Sequence, residues 1–424
     1  MKFSTNTLVK LVFPLTLLAL AAGIVFYAFP AIPQNIALDE VEFIRLAKAL
    51  EHMPYTPYTP IATGHATLYF YMILGSIKLF GETVFAVRLP SALFGVLNVL
   101  LMYGVFRQVF AKHTAMPFFA TFLFITMRWY FNFARFGFEA TTVIFFELCG
   151  VYAYLWYKKT KELRYIFLSG LASGIAYNSY TPGRLFILLP VFFLFFESGI
   201  RQKINFNILK RLAIFIVPFI LCTIPLNIYF QSNTDTRIYQ LFYLQNEQLS
   251  IEEKIQFSLE NIQKVSGQFL FQGDINGRHN YPGKPMLNPI QGVLFLAGLV
   301  LALKNWRSFH SRFFLVFFAI GILPPLLTYP WENPNALRSV TILPSLAYFM
   351  ALPLIAILRL PLHKRTLLLG IFILISLSAI YELRTYFVFQ RTVFPEAFEL
   401  NTNFIQPYLN GNYFLDPNKG SAEL

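Results

Sequence analysis

Apolar residues in this chain fall into long, nearly unbroken runs separated by short polar segments, and few stretches alternate. The runs lie at roughly 9–29, 88–108, 115–134, 140–157, 165–180, 184–198, 210–230, 288–304, 311–329, 340–358 and 366–383. A helix of about 20 apolar residues crosses the hydrocarbon layer of a bilayer. A membrane barrel would instead show period-two alternation. The pattern therefore predicts an all-α polytopic membrane protein with about eleven transmembrane helices. The first run follows Lys2 and Lys10. It is longer than the core of a secretory signal, and no small-residue cleavage site follows it, so it reads as a retained helix.

Basic residues fix the orientation. With the N-terminus in the cytoplasm, eighteen of the 34 Lys and Arg fall in the short inner segments. Lys158, Lys159, Lys161 and Arg164 form one cluster, and Arg201, Lys203, Lys210 and Arg211 form another. This is the charge asymmetry expected of a multi-pass protein of the plasma membrane. The run 66–80 is apolar but short, and it contains Lys78. Were it a span, every later loop would invert, so it is expected to lie flat on the outer surface. Residues 39–51 form a second amphipathic stretch, with Val41, Ile44, Leu46 and Ala47 set against Glu42, Arg45 and Lys48. The first outer loop, about 30–87, thus holds two interfacial helices, joined by a proline-rich extended strip at 54–60. A longer outer loop covers about 231–287. In it Ser250 and Glu253 make a capping box ahead of Ile255, Leu259, Ile262 and Val265. The membrane domain occupies 1–383, and 384–424 is a short outer tail.

Composition agrees. Hydrophobic residues make up 56% of the 424 positions and charged residues only 13%. The net charge of +13 is explained by the loop clusters and does not call for a nucleic-acid partner. Cys149 and Cys222 both sit inside apolar runs, which argues against a disulfide framework.

The chemistry gathers at the expected outer face. Asp39 and Glu40 stand side by side just beyond the first span. A carboxylate pair there can hold a metal, or one member can act as a base. Asp39 is equally suited to cap the helix that begins there. His65 precedes the short apolar run. Arg135 and Glu139 flank the loop between the third and fourth spans and stand one helical turn apart, close enough to pair. Arg184 lies in a tight turn after Tyr180, Arg278 and His279 lie in the glycine-rich end of the long loop, and Arg338 opens the tenth span. Glu147 is the one acid in mid-span, and it reads as an internal structural partner. Carboxylates and arginines on one face suit a transfer with an anionic leaving group. The acid activates a nucleophile and a guanidinium holds the departing phosphate. Tyr58 and Tyr180 are candidates to stack on sugar rings.

These residues carry a resemblance. Gly64-His65 leading to Leu68-Tyr69-Phe70-Tyr71, the stretch from Lys78 to Leu93, Arg135 to Glu139, Gly170 to Arg184, and Asn335-Ala336-Leu337-Arg338-Ser339 follow one another in a familiar order. The chain resembles the C-type glycosyltransferases, within them the dolichyl-phosphate-mannose protein mannosyltransferases and the bacterial aminoarabinose transferase. The similarity is strongest over about 36–190. It implies a multi-span fold whose first outer loop builds the active site. It also implies transfer of a sugar from a polyprenyl-phosphate donor to a protein, lipid or glycan acceptor, usually with inversion. Asp39 and Glu40 would supply the general base, Asp39 first, and Glu139 would take a second acidic position. Arg135, Arg184, Arg338 and His279 would contact substrate. His65 opens a motif that often reads His-Pro-Pro-Leu and here reads His65-Ala66-Thr67-Leu68. A divalent metal cation held by His65, Asp39 and Glu40 is the one cofactor this suggests. Two other classes compete: a lipid or sugar transporter, which would line a mid-membrane path with ionisable groups, and a polysaccharide polymerase or ligase, whose active loop would lie late in the chain.

Overall fold

The computed structural model describes residues 5–60, 63–196 and 206–401. The N-terminal Lys2, the basic pair Arg201 and Lys203, and the tail beyond 401 lie outside the described residues. The chain opens with α1 (Thr5–Phe26) and α2 (Leu38–Glu51), then a two-stranded ribbon of β1 (Tyr58–Thr59) and β2 (His65–Ala66). Next come α3 (Leu68–Phe80), α4 (Val84–Val109), α5 (Met116–Thr126), α6 (Arg128–Phe133), α7 (Ala140–Thr160) and α8 (Leu163–Tyr177). A 3-10 turn over Thr181–Ile187 runs into α9 (Leu188–Phe196), followed by α10 (Phe206–Ser232), α11 (Thr236–Leu241) and α12 (Ile251–Gly267). The last part holds α13 (Pro289–Lys304), α14 (Phe309–Leu327), α15 (Leu343–Ile357), α16 (Lys364–Arg384) and the short α17 (Phe394–Ala397).

Among the described residues, six helical segments are long and apolar enough to cross a membrane: Val84–Val109, Ala140–Thr160, Phe206–Ser232, Phe309–Leu327, Val340–Ile357 and Lys364–Thr392. Shorter apolar helices occupy Leu11–Phe26, Met116–Thr126, Thr181–Phe196 and Pro289–Lys304, where the sequence reading placed further spans, and Leu68–Phe80, where it placed a surface helix. The run expected as one span over 115–134 breaks at Met127, whose backbone is extended between α5 and α6. The break lets Arg128 turn inward, where it bonds Glu382 of α16, the Asn280 side chain and the Pro285 carbonyl. A charge at that depth requires such partners.

The first loop folds back onto the bundle. α2 buries Val41, Phe43, Ile44, Leu46 and Ala47 against α3, and α3 packs on α4. The proline-rich strip ends in the ribbon, pairing Tyr58 with Ala66 and Thr59 with His65. The segment after α16 returns to the same place. Leu400 bridges Ile36 through the backbone, and the Leu38 amide donates to Glu399 at 3.1 Å. One phenylalanine-rich core joins α4, α5, α7, α14 and α15.

Small residues set the closest helix contacts, as expected where packing and not water drives association. A Cβ at Gly298 of α13 would strike the Phe349 carbonyl of α15, whereas Gly370 of α16 has nothing within 4 Å. Gly298→Leu should therefore lower the melting temperature of purified protein sharply. Gly370→Ala should leave it equal or slightly higher, a gain in stability of about 1 kcal/mol at most. Similar melting of both variants would refute this packing.

Candidate active site

The site is built on residues 24–40. Between α1 and α2 the backbone is irregular, and its carbonyls need donors in a region with little water. Two buried guanidiniums supply them. Arg88 of α4 donates to the carbonyls of Pro30 and Pro33, both at 2.8 Å, and of Asn35 at 2.7 Å. Arg135, after α6, donates to those of Ile24, Val25, Tyr27 and Ile32 at 2.5–2.9 Å. The sequence reading put Arg135 on substrate. It is instead fully buried, committed to the backbone and packed over Phe387.

The adjacent acids separate in the same way. Glu40 is fully buried and makes four bonds, from Arg88 Nε at 2.8 Å and Nη2 at 2.9 Å and from the amides of Gly137 and Ala37 at 2.8 and 3.0 Å. Burial alone would raise its carboxyl. The Arg88 charge and the bonds from Arg88, Gly137 and Ala37 outweigh burial and hold it below the ordinary carboxylate value. Glu40, not Asp39, reaches back to cap α2. Asp39 faces outward, 44% exposed along its side chain, with Oδ2 2.7 Å from Arg278. Ala37, Asp39, Phe136, Phe138, Arg278 and His279 line a small recess there, with Glu40 at its base. His279 is oriented by a 2.8 Å contact to buried Asp274, which also accepts from the Ala336 amide.

The second acid, Glu139, stands at the start of α7. It does not pair with Arg135. Its Oε1 lies 2.6 Å from His65 Nδ1, while Oε2 is buried with no partner among the described residues. Arg237 Nη1 approaches His65 Nε2 at 2.9 Å, and its guanidinium lies over the Tyr180 ring. Both ring nitrogens of His65 therefore face side chains other than Asp39 and Glu40. Among the described residues no group of three or more His, Cys, Asp or Glu forms a metal-ligand cluster. The expected trio of His65, Asp39 and Glu40 does not assemble, because Arg88 takes Glu40 and Glu139 takes His65.

Beyond Arg237 opens a cleft of about 90 Å³. Tyr180, Leu241, Phe242 and Leu327 give it apolar walls, and Arg184, Arg237 and Arg338 enter it. Arg184 is ion-paired with Asp235, which caps α11 and accepts from the Tyr58 hydroxyl at 2.9 Å. Tyr58 is thus a buried support of the cleft, and burial, with the nearby Asp235 charge adding, pushes its hydroxyl up to about 12. Arg338 pairs with Glu332 through Nη2 at 2.7 Å, while its Nη1 is buried with no partner among the described residues.

Arg237, Asp235, Asp274 and Glu332 escaped the sequence reading. Asp235 and Arg237 open the short α11, Asp274 lies in an irregular loop and Glu332 in a single 3-10 turn, none of them long enough to show periodicity, and only the fold brings them to the site. Arg88 left a signal, since a charge at the head of an apolar run needs a buried partner.

A model of the dolichyl-phosphate-mannose-protein mannosyltransferase family matches residues 64–227. A search of curated protein sequences finds no match. Among solved structures, ArnT from Cupriavidus metallidurans bound to undecaprenyl phosphate aligns with a TM-score of 0.54 at 12% identity, over 96% of this chain and 78% of that one. The oligosaccharyltransferase of Archaeoglobus fulgidus aligns with a TM-score of 0.55 at 13% identity, over 93% of this chain. The chain has the fold of the C-type glycosyltransferases. The resemblance read from its sequence is borne out. The S. cerevisiae Pmt1-Pmt2 complex bound to the sugar donor also matches, at 22% identity and a TM-score of 0.45, over 59% of this chain. The chain spans 57% of the archaeal enzyme and 38% of the yeast one.

The Glu40–Arg88 pair can be tested directly. Arg88→Met strands a buried carboxylate and should cost about 3–5 kcal/mol. Adding Glu40→Gln should recover part of that loss, read as thermal melting in detergent. A group whose folded pKa is depressed stabilises fully above its unfolded value, and that stability is lost as pH falls through the folded value. Wild type should therefore melt at a constant temperature down to about the ordinary Glu value of 4.5 and lose stability below it. This acid limb should shrink in Glu40→Gln. An unchanged limb would remove Glu40 from the account.

Proposed function

We propose that the protein is a multi-pass membrane glycosyltransferase that moves a sugar from a polyprenyl-phosphate donor to an acceptor hydroxyl. The observation that carries this reading is the pairing of two chambers. One is an apolar cleft entered by three arginines, in which Arg338 Nη1 is buried with no partner among the described residues. The other is the recess where Asp39 presents a half-exposed carboxylate. Phe138 borders the recess, and the next residue, Glu139, reaches Arg237 of the cleft through His65.

In this reading the donor phosphate sits against Arg338 and Arg237, with Arg184 held nearby by Asp235, and the isoprenoid chain follows Leu241 and Leu327 out of the cleft. Arg278 holds Asp39 in an ion pair and yields its place to the acceptor. Asp39 then takes the acceptor hydroxyl proton as the oxygen attacks the anomeric carbon. The bond from that carbon to the phosphate oxygen breaks, the sugar inverts, and polyprenyl phosphate leaves with its charge held by guanidinium. Glu139 acts on the sugar from the His65 side, and Tyr180 packs beneath it. Glu40 serves this scheme as the fixed point behind Asp39, and no step is routed through a metal because the expected ligands do not come together. The chemistry belongs on the outer face of the plasma membrane, with the N-terminus in the cytoplasm. The acceptor is a protein, lipid or glycan hydroxyl.

Purified protein in nanodiscs, given radiolabelled polyprenyl-phosphate sugars, should release polyprenyl phosphate. Asp39→Asn should lower that rate by at least about a hundredfold without a change in melting temperature. Arg338→Ala should raise the KM for donor and slow release. Normal turnover by Asp39→Asn would dismiss it as the base. No release with any donor, together with lipid movement between leaflets, would turn the reading to a transporter.

A further inference from the structure

α12 has three faces, not two. One carries Asn261 and Val265 and is buried against the end of α14. There Asn261 donates to the carbonyls of Leu326 and Thr328 at 3.1 and 2.6 Å, and Lys264 to that of Pro330 at 2.8 Å. A second face carries Glu252, Gln256 and Gln263 and is exposed. The third, beside the first, carries Ile251, Ile255, Leu259 and Ile262, which are 73, 56, 63 and 54% exposed. Four large aliphatic side chains in a row on a loop helix are costly in water, since each leaves much of its apolar surface hydrated.

The position of the stripe says what covers it. α12 is bonded to the terminus of a 19-residue apolar helix that is long enough to cross a membrane. It therefore lies at the depth where that span leaves the hydrocarbon. Tyr329 and Trp331 stack at the same terminus with ring centroids 4.4 Å apart, and Trp331 is 67% exposed. Exposed aromatic rings at the end of a span mark the headgroup level. A helix with a protein face, a polar face and an apolar flank at that level lies in the plane of the interface.

We propose that α12 is a membrane-surface anchor, its aliphatic flank seated in the lipid headgroup and upper acyl region beside the arginine cleft. The link to the cleft is short. Tyr243 bonds Ser258 of α12 at 2.7 Å, and the preceding Phe242 pairs through the backbone with Thr328. Phe242 and Thr328 both line the cleft. Anchoring α12 thus fixes the cleft mouth at the bilayer surface, where a lipid-linked substrate arrives. That second point rests on the donor reading; the anchor itself does not.

The test uses full-length protein in nanodiscs of phosphatidylcholine and phosphatidylglycerol, with the free Cys149 and Cys222 replaced by Ala. Leu259→Cys or Gln256→Cys carries a bimane label. Shallow nitroxide lipids should quench the label at 259 at least roughly threefold more than at 256, and aqueous iodide should show the reverse order. Equal quenching by iodide at both positions, with none from lipid, would overturn the anchor. Shielding of 259 that appears only as protein concentration rises would overturn it in favour of a second copy of the chain. Ile255→Asp with Leu259→Asp should raise the apparent KM for a long-chain donor severalfold and leave kcat and a detergent-soluble short-chain donor unaffected. An unchanged KM would detach the anchor from donor entry. Absence of transfer in wild type would count against the donor reading, while the quenching would still decide the anchor.

Discussion

The buried contact between Glu40 and Arg88 is the constraint on which the site depends. It holds the irregular segment between α1 and α2 to α4, and through the Gly137 amide it holds the same segment to the loop before α7. A salt bridge in the interior costs desolvation on both sides, and it persists only where every remaining donor and acceptor is used. Here the geometry satisfies that condition, because the guanidinium fork of Arg88 reaches two carboxylate oxygens and three carbonyls. Asp39 is the neighbour of this fixed point. It is carried on a helix that cannot roll or slide without breaking those bonds, so its exposed carboxylate stays at the mouth of the recess.

The two chambers differ electrostatically. The cleft gathers three guanidiniums among apolar side chains, two of them paired with Asp235 and Glu332, where solvent screens charge weakly and bonds to an anion are correspondingly strong. The recess places one carboxylate under the control of one guanidinium. Between them Glu139, His65 and Arg237 form a chain of short contacts. Glu139 is buried with one oxygen that has no partner among the described residues, which is costly to maintain as structure alone.

Polar residues at depth do most of the specifying elsewhere in the bundle. Trp129 bonds the Ala336 carbonyl, Asn132 bonds the carbonyls of Arg278 and His279, and Asn288 joins Ser378 to Glu382. Each ties the long loop or the segment before α15 to a helix. Dispersion among many phenylalanines is not directional, so such bonds choose the register of the loops over the bundle.

Chain sequence alone determined the membrane class, the approximate helix positions, the two helices of the first loop and the family resemblance. These follow from run length, charge placement and local motifs, which are one-dimensional properties. It also brought Asp39, Arg184 and Arg338 forward, because charges flanking apolar runs are visible in one dimension. Which member of the Asp39-Glu40 pair faces solvent was not visible, since the two are chemically alike and differ only in which side of a helix meets Arg88. Arg135 and Glu139 looked like partners by spacing, but the turn over 135–138 sends one to the carbonyls of residues 24–32 and the other to His65. The arginine cleft was hidden for the same reason. Its walls come from residues more than a hundred positions apart, and only tertiary packing supplies the distances that make them one site.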